Sequence, residues 1–412
     1  MSTVARAVAD AHRREWAIVL AATVRVTRDL DLAEECVQDA YADALDEWTR
    51  RGVPARPGAW LTTAARHNAL DALRRAGTLR SKLHLLVESE LAPDPVARDD
   101  RLRLVFLCCH PALSVEAQVA LTLRLVCGVP TADIAAAFLV SETTMAARIT
   151  RAKKKTAAAR IPFRMPAPSD LPDRLDAALT TIHLLFTTGH TAPAGPALTR
   201  ADLAEHALDL AHMLCDLMPD EREVRWLLAL LLANHARRAT RTDPGGRLLV
   251  LAEQDRSAWD PEAIAEAHAL VPGALRGGDP GRFALQAAIA ALHATAPTYA
   301  ETDWTQILVL YDELMATWPS PVVALNRAVA VAMVDGPAAA LAEVEALEAD
   351  GRLAGYRYLP AIKADLLRRL GRAADAAAAY DRALTLSTND AERAFRTARR
   401  TETGIGRVGD DE

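Results

Sequence analysis

Apolar residues recur at spacings of three and four along almost the whole chain, alanine and leucine dominate, and no stretch alternates as a half-buried strand would, so the pattern predicts an all-α protein. Polar, proline-rich stretches interrupt it at residues 77–98, with Pro93 and Pro95, and at residues 161–172, with Pro162, Pro166, Pro168 and Pro172. Around these two linkers the expected organisation is a helical module over residues 1–76, a second over 99–160, a helical extension over 173–300, repeat-like helices over 301–400 and an acidic tail over 401–412.

In the first module Asp31 followed by Glu34 predicts an N-cap and capping box, opening a helix that runs to Glu47 or Trp48. On it Glu35, Asp39, Asp43 and Glu47 recur every four residues as one negative stripe, while Val37, Tyr41, Ala44, Leu45 and Trp48 lie mainly elsewhere. A charge run is usually a solvated face. Here no lysine or arginine interrupts positions 31–49, so a docking surface for a basic partner competes with that plain reading. The sign then reverses: Arg50, Arg51, Arg56, Arg66, Arg74, Arg75, Arg80 and Lys82 meet a single acid, Asp71. Gly52, Pro54, Pro57 and Gly58 mark a loop, and Trp60 opens a helix ending near Arg75. A basic loop and helix with an aromatic at its start suits a nucleic-acid backbone and unstacked bases.

In the second module Thr131 is expected to cap a short helix through Phe138 and Ser141 a longer one from Glu142, with a turn of helix-turn-helix length between them. Met145, Ile149, Ala152 and Thr156 form the inward stripe of the second helix, and Thr143, Thr144, Ala147, Arg148, Arg151, Lys154 and Lys155 face outward. The first residues of such a helix approach base edges and the basic ones beyond them reach phosphates, so Thr143, Thr144, Ala147 and Arg148 are candidate base readers. Arg151, Lys153, Lys154, Lys155 and Arg160 are candidate backbone contacts. The plainer alternative is a helical hairpin with a basic end.

Charge and composition change this picture in one respect. The 412 residues are 51% hydrophobic and 25% charged, which suits several globular domains, and their net charge of -6 by itself argues against phosphate binding. The total is uneven: residues 1–165 carry 24 Lys and Arg against 19 Asp and Glu, and the remainder 24 against 35, so +5 precedes -11. The five cysteines, Cys36, Cys108, Cys109, Cys127 and Cys215, are odd in number and scattered, which fits a reducing cytoplasm. Residues 177–199 and 283–300 lack charges over membrane-like lengths, but glycine and proline in the first and Gln286 and His293 in the second favour buried helices over membrane spans.

No lysine follows a glycine, so a phosphate-loop nucleotide site is excluded. Cys108, Cys109 and His110 lack a Cys-x-x-Cys partner and read as buried small hydrophobes rather than a zinc site. The histidines of the extension show no ligand spacing, and the charged turns at Asp243 to Arg247 and Asp255 to Asp260 read as structured loops. Neither cofactor, metal nor catalytic group is expected.

Three runs, "DLAEECVQDAYADALDEW", "PGAWLTTAARHNALDALRR" and "VALTLRLVCGVPTADIAAAFLVSETTMAARITRAKKK", resemble in order and separation region 2.2, regions 2.3 and 2.4, and region 4.2 of bacterial extracytoplasmic-function sigma factors. The resemblance implies two small helical sigma domains, the second a helix-turn-helix, and core RNA polymerase and promoter DNA as partners. Glu35, Gln38, Asp39 and Asp43 would dock on the clamp helices of the β′ subunit, with the β subunit a further contact. Arg56, Trp60, Arg66, His67, Asn68, Arg74 and Arg75 would hold the melted minus ten element, whose base extrusion costs a few kcal/mol supplied by stacking and phosphate contacts. Thr143, Thr144, Ala147, Arg148, Arg151, Lys154 and Lys155 would read and grip the minus thirty-five element in the major groove. Ala146 and Ala147 stand where many relatives carry lysine and serine, and His67 and Asn68 where Asn-Arg is common, so base preference at those positions stays open.

In the extension, residues 325–348 around Gly336 parallel residues 362–386 around Gly371 and resemble tetratricopeptide units, with an irregular helical bundle as the alternative. "HLLFTTGHTA", "DPGGRLLVLAEQDRSAWD" and "PSPVVALNRAVAVAMVDGPAAAL" resemble the C-terminal extension of one sigma-factor subgroup, which implies modulation of sigma activity. An acidic extension tethered near a basic module predicts an intramolecular contact, and the repeats predict a protein partner of their own. The competing function is a helix-turn-helix adaptor with a helical-repeat interaction domain that does not associate with polymerase.

Overall fold

The structure, a computed structural model, describes residues 3–75, 96–138, 140–159, 161–167, 169–270 and 280–405. Arg80, Lys82, Arg160, the greater part of the 77–98 linker and the end of the acidic tail lie outside the described residues. Almost all of the described chain that is regular is α-helix, as the periodicity predicts, and it forms two compact units, residues 1–185 and 186–412.

The first unit opens with α1 (Thr3–Thr27), α2 (Leu30–Arg51) and α3 (Pro57–Arg75), which pack on one another. On α3 the buried positions are Leu61, Ala65, Ala69 and Leu73, four residues apart, so a narrow stripe of small residues lets neighbouring helices come close. α1 contributes Trp16, Val19 and Leu20, and α2 contributes Val37, Ala40, Tyr41, Ala44 and Trp48. The second half of the unit is α4 (Val96–Cys108), α5 (Val115–Leu125), α6 (Thr131–Ala137), α7 (Glu142–Ala158) and the first part of α8 (Leu171–His190).

Side-chain ties from α1 help to join the halves. The indole of buried Trp16 donates to the Leu125 carbonyl at 3.1 Å, and Arg25 of α1 meets Asp100 of α4 at 3.2 Å, where the carboxylate is 5% exposed. Arg174 in α8 donates to the Phe106 carbonyl at 3.2 Å, so the chain that follows the proline-rich stretch still packs on α4. Cys108 and Cys109 are buried thiols, and the Cys109 sulfur lies 3.6 Å from the Thr122 hydroxyl.

The second unit continues from the end of α8 through a two-residue strand β1 (Ala194–Gly195) to α9 (Ala201–Leu217), α10 (Arg222–His235), α11 (Pro261–Leu270) and α12 (Arg282–Thr295). A Cβ on Gly189 would stand 2.5 Å from the Ala204 backbone nitrogen, so α8 and α9 can touch only because that residue is glycine. The charged turns expected between α10 and α11 are built by their aspartates: Asp243 accepts from the Gly245 and Arg247 amides, and Asp255 from the Ser257 amide.

Then follow α13 (Trp304–Thr317), α14 (Pro321–Val334), α15 (Pro337–Asp350), α16 (Tyr358–Arg369), α17 (Ala373–Thr385), strand β2 (Thr388–Asn389) and α18 (Asp390–Ile405), each helix packing on the next. Leu325, Ala328, Val331, Ala340, Val344, Leu359, Leu367 and Ala376 share one core along α14 to α17. Gly336 (φ 94) and Gly371 (φ 72) take left-handed backbone at the two helix junctions, a conformation that side chains resist. β1 and β2 pair in parallel, and buried Asn389 donates to the Ala197 carbonyl at 2.8 Å, so the last helix is anchored to the beginning of the same unit.

Candidate functional site

The direction of α2 is set in its first turn. Arg28 takes left-handed backbone (φ 57), and Asp29 caps the helix by accepting from the Leu32 amide at 3.0 Å. The cap expected at Asp31 therefore lies two residues earlier, because Leu30, which is buried, enters the first turn. Glu34 is accordingly no capping-box partner. Its side chain, 8% exposed, accepts Arg124 of α5 at 3.1 Å on one oxygen and Lys153 of α7 at 2.5 Å on the other, while Lys153 also reaches Asp31 at 3.0 Å. Burial pulls the Lys153 ammonium down, but the bonds and charge of Glu34 and Asp31 together outweigh it and its pKa is raised.

On the other side of α2, Glu35, Gln38, Asp39 and Asp43 are all exposed. The α2 carboxylates that do find cations among the described residues are Asp31, Glu34 and Glu47, the last held by Arg50 at 3.1 Å and Arg51 at 2.9 Å. Among the described residues, Glu35, Asp39 and Asp43 have no cation within ion-pair distance. Their field is felt inside: burial pushes the Cys36 thiol up, and the charges of Asp39 and Glu35 push it further. Leu45 lies away from the acidic stripe and is 44% exposed, because the buried arc follows positions 37, 40, 41, 44 and 48 and leaves 45 outside it.

Arg50, Arg51 and Arg56 stand exposed around the loop from α2 to α3. Trp60 is half-buried, its ring edge-on to the buried Trp48 at 5.7 Å between centroids, which fixes its position at the head of α3. His67, Arg74 and Arg75 are exposed and Arg66 is half-buried, with Arg74 against Asp71 at 3.0 Å. Asn68 turns the other way: its amide donates to the Cys36 carbonyl of α2 at 3.3 Å, so it braces the two helices.

The Ser141 hydroxyl caps α7, accepting from the Thr144 amide at 3.2 Å and lying 2.8 Å from the Thr144 hydroxyl. Met145, Ile149, Ala152 and Thr156 are buried, as expected, which leaves Thr143, Thr144, Ala147, Arg151, Lys154 and Lys155 exposed. Arg148 lies over the Phe138 ring at 5.7 Å, and Arg151 donates to the Ala147 carbonyl at 3.2 Å, so both guanidiniums are held along the outer face. Lys153 does not join that face, because Glu34 and Asp31 hold it against α2. Sequence reasoning missed the Glu34, Arg124 and Lys153 cluster, and no local signal marks it.

Comparison with known proteins agrees with this layout. Residues 12–78 match the family model described as "Sigma-70 region 2", residues 103–156 that described as "Sigma-70, region 4", and residues 174–275 a "Family of unknown function (DUF6596)". An uncharacterized protein of Rhizobium meliloti (strain 1021) is 46% identical over 386 residues, covering 91% of each chain. No solved structure matches. Regions 2 and 4, in that order on one helical unit, define a transcription initiation factor whose partners are core RNA polymerase and promoter DNA. The chain belongs to the sigma-70 family, as a member with a long helical C-terminal extension. No helix among the described residues is long and apolar enough to cross a membrane.

Proposed function

We propose that the chain is an extracytoplasmic-function sigma factor whose α2 stripe docks on the polymerase β′ clamp and whose α3 and α7 hold the minus ten and minus thirty-five elements, with residues 186–412 regulating its activity. The observation that supports this reading is that Glu35, Asp39 and Asp43 stand exposed on α2 with no cation within ion-pair distance among the described residues, as does Asp46 beside them, whereas Asp31, Glu34 and Glu47 of the same helix are paired within the chain. Around it, Arg56, Trp60, Arg66, His67, Arg74 and Arg75 form the minus ten surface, and Thr143, Thr144, Ala147, Arg148, Arg151, Lys154 and Lys155 the minus thirty-five surface. Tetratricopeptide-like packing of α14 to α17 supports a regulatory extension with a partner of its own.

Reversal of Glu35, Asp39 and Asp43 to lysine tests the docking role on the full-length chain. Core-polymerase capture should be lost while duplex binding, read by fluorescence anisotropy, is unchanged or stronger. Undiminished capture would favour the adaptor without polymerase. In vitro transcription by residues 1–185 against the full chain tests regulation, and equal activity would remove the extension from it.

A further inference from the structure

The second unit has an open cavity of about 640 Å³ between the 248–252 strap, α16, α17 and α18, within the size range of small-molecule sites. Its walls are apolar and aromatic, with Met333, Tyr299, Ile362, Tyr380 and Phe395 among them. Its floor is charged. Glu392, 3% exposed, accepts Tyr358 at 2.6 Å and Arg357 at 2.8 Å and lies 3.4 Å from Arg396, itself 5% exposed. Two guanidiniums therefore share one buried carboxylate. Both lie over the Tyr358 ring, at 4.7 and 5.7 Å.

The other ionic groups do not cancel that surplus. Asp365 is taken by Arg368 at 2.6 Å, and Arg399 by Glu253 and Glu402. Arg369, on the rim, donates to the Ala332 carbonyl and has no carboxylate within ion-pair distance among the described residues. Behind the floor Arg241 is bound to the His190 carbonyl and the Thr191 hydroxyl, with no carboxylate within ion-pair distance among the described residues, although it feels the charge of Glu392. Arg357 and Arg396, largely buried with a single carboxylate between them, carry a surplus of positive charge that an anion in the cavity would offset, with exposed Arg369 adding charge at the rim.

We infer that this cavity binds a small organic anion, an aromatic or otherwise apolar body carrying one carboxylate, sulfonate or phosphate, with its charge toward Arg369 and Arg396. The inference deepens the regulatory reading of the extension, on which its biological purpose rests; the binding itself does not depend on it.

Anilinonaphthalene sulfonate, a fluorescent aromatic anion, and the neutral N-phenyl-naphthylamine are the probes, titrated into the full-length protein. The sulfonate should bind saturably at one site, Ala361→Trp should abolish that binding by filling the cavity, and Arg369→Gln should weaken it about tenfold while sparing the neutral probe. Circular dichroism and the melting temperature check both variants. Arg369 is exposed, so Arg369→Gln remains decisive if the tryptophan variant misfolds. Absence of saturable binding, binding untouched by Ala361→Trp in a folded protein, or equal sulfonate affinity in Arg369→Gln would each overturn the inference. A transcription defect in Arg369→Gln is not part of the test, so failure of the regulatory reading leaves the binding result standing.

Discussion

Neighbouring glutamates on α2 have opposite fates. Glu34 is buried between Arg124 and Lys153, and Glu35 faces solvent, 100° further round the helix. Glu34→Ala would leave two cations against an apolar surface, with only the exposed Asp31 remaining to Lys153, and should destabilise the first unit by about 3 kcal/mol. Glu35→Ala should stay within about 0.5 kcal/mol. Hydrogen exchange at the α2 amides across a urea series separates the two; similar losses would mean that the Glu34 cluster contributes nothing special. The buried stripe of Met145, Ile149, Ala152 and Thr156 was legible because helical period alone decides it. The Glu34 cluster was not, since its partners lie 90 and 119 residues away and nothing local distinguishes that carboxylate from its neighbours.

For whole elements, caps and charge runs were legible up to the point where burial chooses between equals. Ser141 is the one good cap ahead of α7 and is used. Asp29 and Asp31 are equally good caps ahead of α2, and the burial of Leu30 decides for the former. The lysine run 153–155 is divided in the same way. Lys154 and Lys155 are exposed, whereas Lys153 is spent on α2. If α7 grips phosphates, neutralising Lys154 or Lys155 to alanine should each lower the slope of log K for promoter-duplex binding against log salt by about 0.9. Lys153→Ala should leave the slope unchanged. A slope change for Lys153→Ala equal to that of the other two would show that the ion cluster opens on DNA.

At the level of the molecule, the sequence distinguished a basic first part from an acidic extension, but the interior of the second unit was hidden from it, because buried guanidiniums and imidazoles leave no periodic trace. That interior predicts that the second unit loses stability in acid. Burial, with the charges of Arg237 and Arg256, pushes His293 down to about 4. Burial and Arg238 bring His235 to about 4 as well, and burial with the charges of Arg241, Arg237 and His235 holds His190 well below its ordinary range. In the unfolded chain these imidazoles titrate near about 6.5. Between about 6.5 and about 4 the unfolded state therefore binds more protons than the folded one, and stability falls as pH falls through that window. The lowered aspartates of the unit, such as Asp243 and Asp260, lose their contribution only as pH drops below the usual carboxylate range, so they do not account for a loss that begins near pH 6. The urea midpoint for α8 to α12, followed by hydrogen exchange, should drop from about pH 7.5 to about pH 5, and His293→Gln should flatten the dependence. A midpoint as steep in His293→Gln as in the parent would assign the acid sensitivity to other groups.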